Sequence, residues 1–355
     1  MMKASLRMGA LLTAAAALTV SGCANPEGTN SGASGTSGGQ QTTTATSGST
    51  CTIDQYGTPK IDLKNAVVGF SQSETEANPF RITETASITD EATKLGVKQL
   101  LKRNANSNLN QQNSDIEGML AQGANLLIVA PLNSDGLGKA LDAAKARHVP
   151  VLTIDRKLNG VTPCKDYLAF IGSDFVTQGK RAAAQLAKVT GGSGKVAILL
   201  GATGNNVTTD RTSGFKDYLN SSAKGLSIVA EQNADFTREK GQSVTEQLLQ
   251  SHPEITAIYA ENDEMALGAV TAITAAGKKP GTDIKIVSVD GTRAAVQDIV
   301  SGTLNGDVES NPRFGPLTFS TLQDYLAGKK VPSTITIQDK EYDSGNAAAE
   351  VANAY

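Results

Sequence analysis

Apolar residues in this chain come in short runs, and the runs alternate with stretches whose apolar positions recur at helical spacing. Ala66-Val67-Val68-Gly69-Phe70 opens the series with a run of strand length. Ile82 to Leu95 follows with helical periodicity and stops at Gly96. Val97 to Lys102 reads as a strand, Asn110 to Gln122 as a helix closed by Gly123, and Asn125 to Ala130 as a strand stopped by Pro131. Asp135 to Arg147 carries Ala and Leu at helical spacing. Behind Pro150, Val151-Leu152-Thr153-Ile154 is apolar or β-branched at every position, as in a strand buried on both faces. It ends in Asp155-Arg156.

The rhythm then restarts. Strands are predicted at Tyr167 to Gly172, Lys195 to Leu200, Leu226 to Glu231, Ile255 to Ala260, Ile284 to Val289 and Gly306 to Glu309. Helices are predicted between them at Thr177 to Val189, Asp210 to Leu219, Thr237 to Ser251, Glu264 to Ala276 and Thr292 to Val300. This alternation predicts an α/β fold with doubly wound parallel sheets, in two lobes of similar plan. Ligands of such sheets bind just beyond the carboxyl ends of the strands. Asp155 and Asp290 stand at such ends, one per lobe, and two facing lobes make a cleft.

Upstream of Ala66 the pattern is different. Lys3 and Arg7 precede an apolar and small run, Gly9 to Val20, of signal-peptide length. The run closes in Leu18-Thr19-Val20-Ser21-Gly22-Cys23, which resembles the bacterial lipobox. That resemblance implies a signal peptide over residues 1–22 and a lipid on Cys23. The alternative is a plain secretory peptide with a chance Cys. Ala24 to Thr50 is Ser, Thr, Gly, Asn and Gln, too polar to offset the entropy of ordering. Residues 23–60 are therefore expected to form a flexible Ser/Thr/Gly-rich linker. Cys51 and Cys164 would then sit in an oxidising compartment, where an even pair favours a disulfide over two free thiols.

Composition narrows the chemistry. The chain has 355 residues, is 39% hydrophobic and carries a net charge of −3, which gives no electrostatic case for nucleic acid. There is no Trp, and the only histidines are His148 and His252, too few for a His-based metal site or a Ser-His-Asp triad. Gly191-Gly192-Ser193-Gly194-Lys195 lacks phosphate-loop spacing and precedes its strand, so it reads as a turn. No cofactor is expected.

Several segments, taken in order, carry a resemblance. They are Phe70 to Arg81, Val151 to Arg156, Asp210-Arg211-Thr212-Ser213-Gly214-Phe215, Ala234-Asp235-Phe236, Glu261 to Gly268, and Val289-Asp290-Gly291. Together they look like the ribose- and galactofuranose-type sugar-binding proteins of bacterial ABC importers, from about Ala66 to Thr336. The resemblance implies a periplasmic-binding-protein-like fold of type I: one lobe from 61–173 plus 311–338, another from 174–310 plus 339–355, and a hinge of three crossings near Asp174, Ser310 and Gln338.

It also implies a ligand set. Asn78 would meet sugar hydroxyls, and Phe80 and Phe236 would stack on the ring. Asp155 with Arg156, and Arg211 with Asn262 and Asp290, would grip hydroxyls from the two lobes. Arg81 and Asp210 are similar to the galactofuranose type and point toward a furanose. The loop before Asn78 is longer than in the ribose type, which brings in Gln72 and Glu76. The ribose type carries a glutamine near Ser310 that this chain lacks, leaving contacts at Ser310 or Glu309 open. The residue types suit the ligand independently: sugars present hydroxyls at the rim and apolar C–H faces above and below.

The reading is thus a monomeric, lipid-anchored protein on the outer face of the cytoplasmic membrane. It would capture a monosaccharide and deliver it to an ABC permease, without enzymatic activity. A sensing module for a membrane receptor kinase is the main alternative. A glycoside-processing enzyme is a weaker one, because the acids lie beside arginines or helix starts that would hold them ionised. Labelling with a lipid precursor should mark the wild-type chain and not Cys23→Ala; equal labelling of both would remove the anchor.

Overall fold

The structure is a computed structural model and describes residues 43–355. The expected signal peptide, Cys23 and the first part of the linker lie outside the described residues. In chain order the early elements are β1 (Thr43–Cys51), the short α1 (Ile53–Tyr56), β2 (Val67–Gln72), α2 (Pro79–Lys94), β3 (Gln99–Asn104), α3 (Leu109–Ala121), β4 (Leu126–Val129), α4 (Gly138–Lys145), β5 (Val151–Ile154) and β6 (Ala169–Gly172). The second series comprises α5 (Phe175–Thr190), β7 (Ser193–Leu200), α6 (Asn206–Ser222), β8 (Gly225–Asn233), α7 (Arg238–Ser251), β9 (Ala257–Ala260), α8 (Asp263–Ala275), β10 (Lys285–Asp290), α9 (Arg293–Ser301) and β11 (Gly306–Glu309). The chain then runs through α10 (Gly315–Leu326), β12 (Val331–Ile337), β13 (Glu341–Asp343) and α11 (Ala347–Glu350).

The strands form two sheets, ordered β1-β12-β6-β5-β4-β2-β3 and β13-β11-β10-β9-β7-β8. All pairs are parallel except β1 with β12 and β13 with β11. These are the two α/β lobes expected from the strand–helix alternation. The continuous apolar runs are explained by burial on both faces. Along β4, Leu126 and Ile128 pack with Ile88 and Phe319 on one side. Leu127 and Val129 pack with Ile116 and Met119 on the other. Along β7, Ala197 and Leu199 likewise belong to one apolar layer and Val196 and Ile198 to the opposite one.

The chain passes between the sheets three times, from β6 to α5, from β11 to α10 and from β12 to β13. Side chains tie these crossings to one another. Ser173 Oγ donates to Asp339 Oδ1 at 3.1 Å, and the Lys340 amide donates to Glu309 Oε2 at 3.1 Å. Gly179 on α5 and Gly214 on α6 let the two helices approach backbone to backbone. A Cβ at either position would collide with the partner helix's carbonyl, Arg211 O or Val176 O. This contact fixes the start of α6 against the hinge.

Residues 43–51, expected to be part of the flexible linker, instead form the edge strand β1, antiparallel to β12. The segment has no apolar side to read in the sequence. Its pairing comes from backbone groups that the edge of β12 leaves free. Cys51 and Cys164 stand with Cα atoms 5.0 Å apart and their sulfurs at bonding distance. The bridge would close a loop of sequence separation 113 and hold β1 at its end. Replacing both cysteines by Ser is expected to lower unfolding stability by roughly 2–4 kcal/mol. Chemical denaturation checks this; an unchanged midpoint would show that the bridge contributes nothing.

Candidate functional site

The two lobes meet around a narrow pocket at the carboxyl ends of their strands, the place where open α/β sheets bind ligands. The first lobe lines it with Glu74, Asn78, Phe80, Arg81, Asp155 and Arg156. The second lobe contributes Val207, Arg211, Phe236, Asn262 and Asp290. The lips are joined across the cleft. Ser134 N donates to Gly204 O at 2.9 Å, Asn206 N to Ser134 Oγ at 3.0 Å, and Lys157 N to Asn206 Oδ1 at 2.8 Å.

Local structure explains how these side chains reach the cavity. Asn78 caps α2, accepting from Phe80 N at 2.8 Å, so the helix begins earlier than its apolar periodicity predicts. That places Phe80 and Arg81 in its first turn. Asn205 caps α6 in the same way. On α6, Val207 and Arg211 are four residues apart and share a face. Asp155, Phe236 and Asp290 all take positive φ, 65°, 61° and 143°. Non-glycine residues at positive φ are costly and concentrate at functional sites. Asn262 caps α8 by accepting from Met265 N at 3.0 Å, and its amide donates to Phe236 O at 3.1 Å.

The polar groups form a dense ion network. Glu74 bridges two arginines, with Oε2 3.0 Å from Arg81 Nε and Oε1 2.7 Å from Arg156 Nη2. Arg81 Nη1 also lies 2.8 Å from Glu84 Oε2 and 2.8 Å from Asp155 Oδ2. Arg156 Nη1 donates to Leu132 O at 2.9 Å. In the second lobe Arg211 Nε donates to Gln178 Oε1 at 2.9 Å, and Nη2 lies 3.4 Å from Asp290 Oδ1. Arg211 Nη1 also donates to Glu261 O. Burial pushes the Glu74 carboxyl up, but Arg156 and Arg81 outweigh it and bring it down to about 2. Burial lowers the Arg81 pKa, yet Asp155, Glu74 and Glu84 together raise it well above its ordinary value. Asp290 is raised by burial, with Arg211 opposing.

Within this paired network Asp155 Oδ2 is held by Arg81 Nη1 at 2.8 Å and lies 3.6 Å from Arg156 Nε. Arg156 Nε is buried and has no hydrogen-bond partner among the described residues. It is a donor that a ligand oxygen would satisfy.

Gln72, Glu76 and Asp210 do not line the cavity. Gln72 shares the face of β2 that lies under α2, and donates there to Glu84 Oε2 at 2.8 Å. Glu76 is exposed on the loop. Asp210 is one residue off the cleft-facing side of α6 and accepts from Asn206 Nδ2 at 2.9 Å. Glu309 is engaged at the hinge, and Ser310 N donates to Asp290 O at 2.8 Å, with neither lining the cavity. Glu74 is the acid that the loop extension brings in. Choosing it over Glu76 requires the loop conformation, which no periodicity reveals. Val207 and Tyr355 were also not legible in advance. The Tyr355 ring packs edge-to-face with Phe80, centroids 6.3 Å apart.

A model of the periplasmic binding protein domain matches residues 68–330. The chain belongs to the periplasmic binding protein family. Among this family's members, the ribose import binding protein of Bacillus subtilis (strain 168) is 38% identical over 274 residues, 77% of this chain and 86% of that protein. The galactofuranose-binding protein of Escherichia coli (strain K12) is 32% identical, over 76% of this chain and 85% of its own length. A solved Mycobacterium smegmatis structure in complex with β-D-fucofuranose superposes with a TM-score of 0.77 at 35% identity, covering 81% of this chain and 94% of that one. Like them, this periplasmic binding protein is a two-lobed α/β molecule. Among the described residues no cluster of three or more His, Cys, Asp or Glu fits a metal ion, and no helix is long and apolar enough to cross a membrane.

The buried acids predict a pH dependence. Burial raises Glu261 and Asp339 to about 7, against ordinary values of 4.5 and 3.8. Between those values and 7 the folded protein holds protons that the unfolded chain releases, so stability falls as pH rises through this window. Glu74 works the opposite way, losing its contribution as pH falls from 4.5 toward about 2. The ligand-free protein should therefore melt at a higher temperature near about pH 5 than near about pH 8. Thermal scans at the two values check this; a flat profile would contradict it.

Proposed function

We propose that this chain is an extracytoplasmic solute-binding protein that captures a monosaccharide in its furanose form and delivers it to an ABC importer. The observation that carries the reading is the convergence of Asn78, Asp155 and Arg156 from one lobe with Arg211, Asn262 and Asp290 from the other on a single pocket. Together they offer donors and acceptors to ligand hydroxyls from both sides. Charge-assisted bonds of this kind are stronger than neutral ones.

The rest of the cavity suits the same ligand. Phe80 and Phe236 come from opposite lobes and supply apolar surface for the C–H faces of a ring. Asn78, Arg81, Arg211, Asn262 and Asp290 surround them with donors and acceptors. Glu74 joins this set, while Gln72 and Asp210 stand behind it, on Glu84 and Asn206, and Glu76 stays outside on the exposed loop. The furanose assignment is supported by the relatives named for galactofuranose and solved with β-D-fucofuranose.

The family is one of binding proteins, and the cleft here acts by enclosure, without bond chemistry. Its three arginines are held by Glu74, Asp155 and Asp290, so a neutral sugar meets a site without large excess charge. We further read the chain as a monomer, held at the outer face of the membrane by lipid on Cys23 and stapled by a Cys51–Cys164 disulfide. Both features are consistent with export.

Titration calorimetry with D-ribose, L-arabinose, D-galactose, D-fucose and D-fructose tests the function. At least one should bind, and Asp155→Ala or Arg156→Ala should each weaken it by about a hundredfold, because each removes a charged hydrogen-bonding group from a buried, interlinked network. Unchanged affinity in variants that melt like wild type would remove the site.

A further inference from the structure

One buried side chain outside the cavity touches both the cleft and the hinge. Gln178 lies on α5 and is 1% exposed. Its Oε1 accepts from Arg211 Nε at 2.9 Å. Its Nε2 donates to Asp339 Oδ2 at 2.9 Å and to Glu309 O at 3.3 Å. Asp339 in turn accepts from Ser173 Oγ at 3.1 Å through its other oxygen. Ser173, Glu309 and Asp339 belong to the three different crossings between the lobes. Every polar atom of the Gln178 side chain is thus in use, one on the cleft arginine and the other on the hinge.

We propose that Gln178 is a positioning residue that couples the ligand-gripping Arg211 to the hinge. This rests on the sugar-binding reading of the cleft. An arginine held at Nε has its fork aimed by the group that holds it, because the guanidinium is planar. Gln178 at Nε, with Glu261 O at Nη1, therefore sets where Nη2 of Arg211 points, toward Asp290. The same amide is held by the crossings. A change in hinge angle moves Glu309 and Asp339 relative to α5, and so pulls on the amide that aims Arg211. Conversely, a ligand that draws Arg211 into the cavity favours the hinge arrangement in which Gln178 keeps all its bonds. Coupling of this kind needs a contiguous hydrogen-bonded path with defined partners at each end. Gly179 supplies the close α5–α6 approach that makes the path short.

Gln178→Met keeps the length and removes all three hydrogen bonds. Two measurements on the full chain decide the proposal. The first is affinity for whichever of D-ribose, L-arabinose, D-galactose, D-fucose and D-fructose binds wild type most tightly. Gln178→Met should weaken it by roughly tenfold or more. In a double-mutant cycle with Asp339→Asn, the two losses should fall short of multiplying, as expected for residues on one path. The second measurement needs no ligand. Amide exchange in segments 309–311 and 338–341 should speed by about threefold in Gln178→Met, while the α5 amides from Lys180 to Ala187 stay unchanged.

Independent, multiplying losses, unchanged affinity, or unchanged hinge exchange would each overturn the proposal. So would faster exchange along the whole of α5, which would mark Gln178 as an ordinary core residue. If no sugar in the panel binds wild type, the sugar-binding reading falls on its own, and the exchange measurement alone decides whether Gln178 controls the hinge.

Discussion

Three guanidinium groups stand in the closed cleft, on Arg81, Arg156 and Arg211, each with no more than 4% of its side chain exposed. A buried charge is tolerated only when it is paired and hydrogen-bonded. Much of the local structure answers that demand. Glu74 bridges the two arginines of the first lobe, Asp155 joins them from the end of β5, and Asp290 faces Arg211 from the end of β10. The strand ends take unusual backbone angles at Asp155 and Asp290 to deliver those carboxylates. Most of the network is closed on itself, and the buried donor it leaves without a partner among the described residues is Arg156 Nε.

The same demand links recognition to motion. A cleft lined by arginines from both lobes would expose them on opening and enclose them on closing. Enclosure lowers the local dielectric and strengthens each charged contact. The lips meet through Ser134, Asn206 and Lys157, and the rear of the cleft is joined to the hinge through Gln178 and Asp339. Phe80 is packed against Phe314 of the second crossing and Tyr355 of the tail, so a pocket-lining ring of the first lobe rests on the hinge and on the C-terminal tail.

The architecture was legible because strands buried on both faces must be apolar throughout. β4, β5 and β9 show this plainly, and their spacing with amphipathic helices leaves few alternatives to two parallel sheets. Elements without that mark were harder to see. β1 is polar and pairs through its backbone alone, so its sequence looks like linker. The starts of α2 and α6 were placed too late, because their caps, Asn78 and Asn205, carry no apolar signal. In the cleft, strand-end residues such as Asp155 and Asp290 were readable from position. Loop and helix-face residues were not readable from periodicity: Asn78, Phe80, Arg81, Arg211, Phe236 and Asn262 came from the family resemblance, Glu74 and Glu76 are equally plausible by position, and Asp210 differs from Arg211 only by which way one helical position turns.

By itself the sequence determined the alternation of buried strands and helices, the two lobes, and the acids and arginines at the strand ends, since these follow from periodicity and local chemistry. Tertiary structure alone decided which of those charges face one another, that Glu74 and not Glu76 completes the network, and that Gln178 meets three crossings far apart in the chain. These are long-range contacts between residues with no local pattern. They arise only when the lobes close and each buried charge must find its partner.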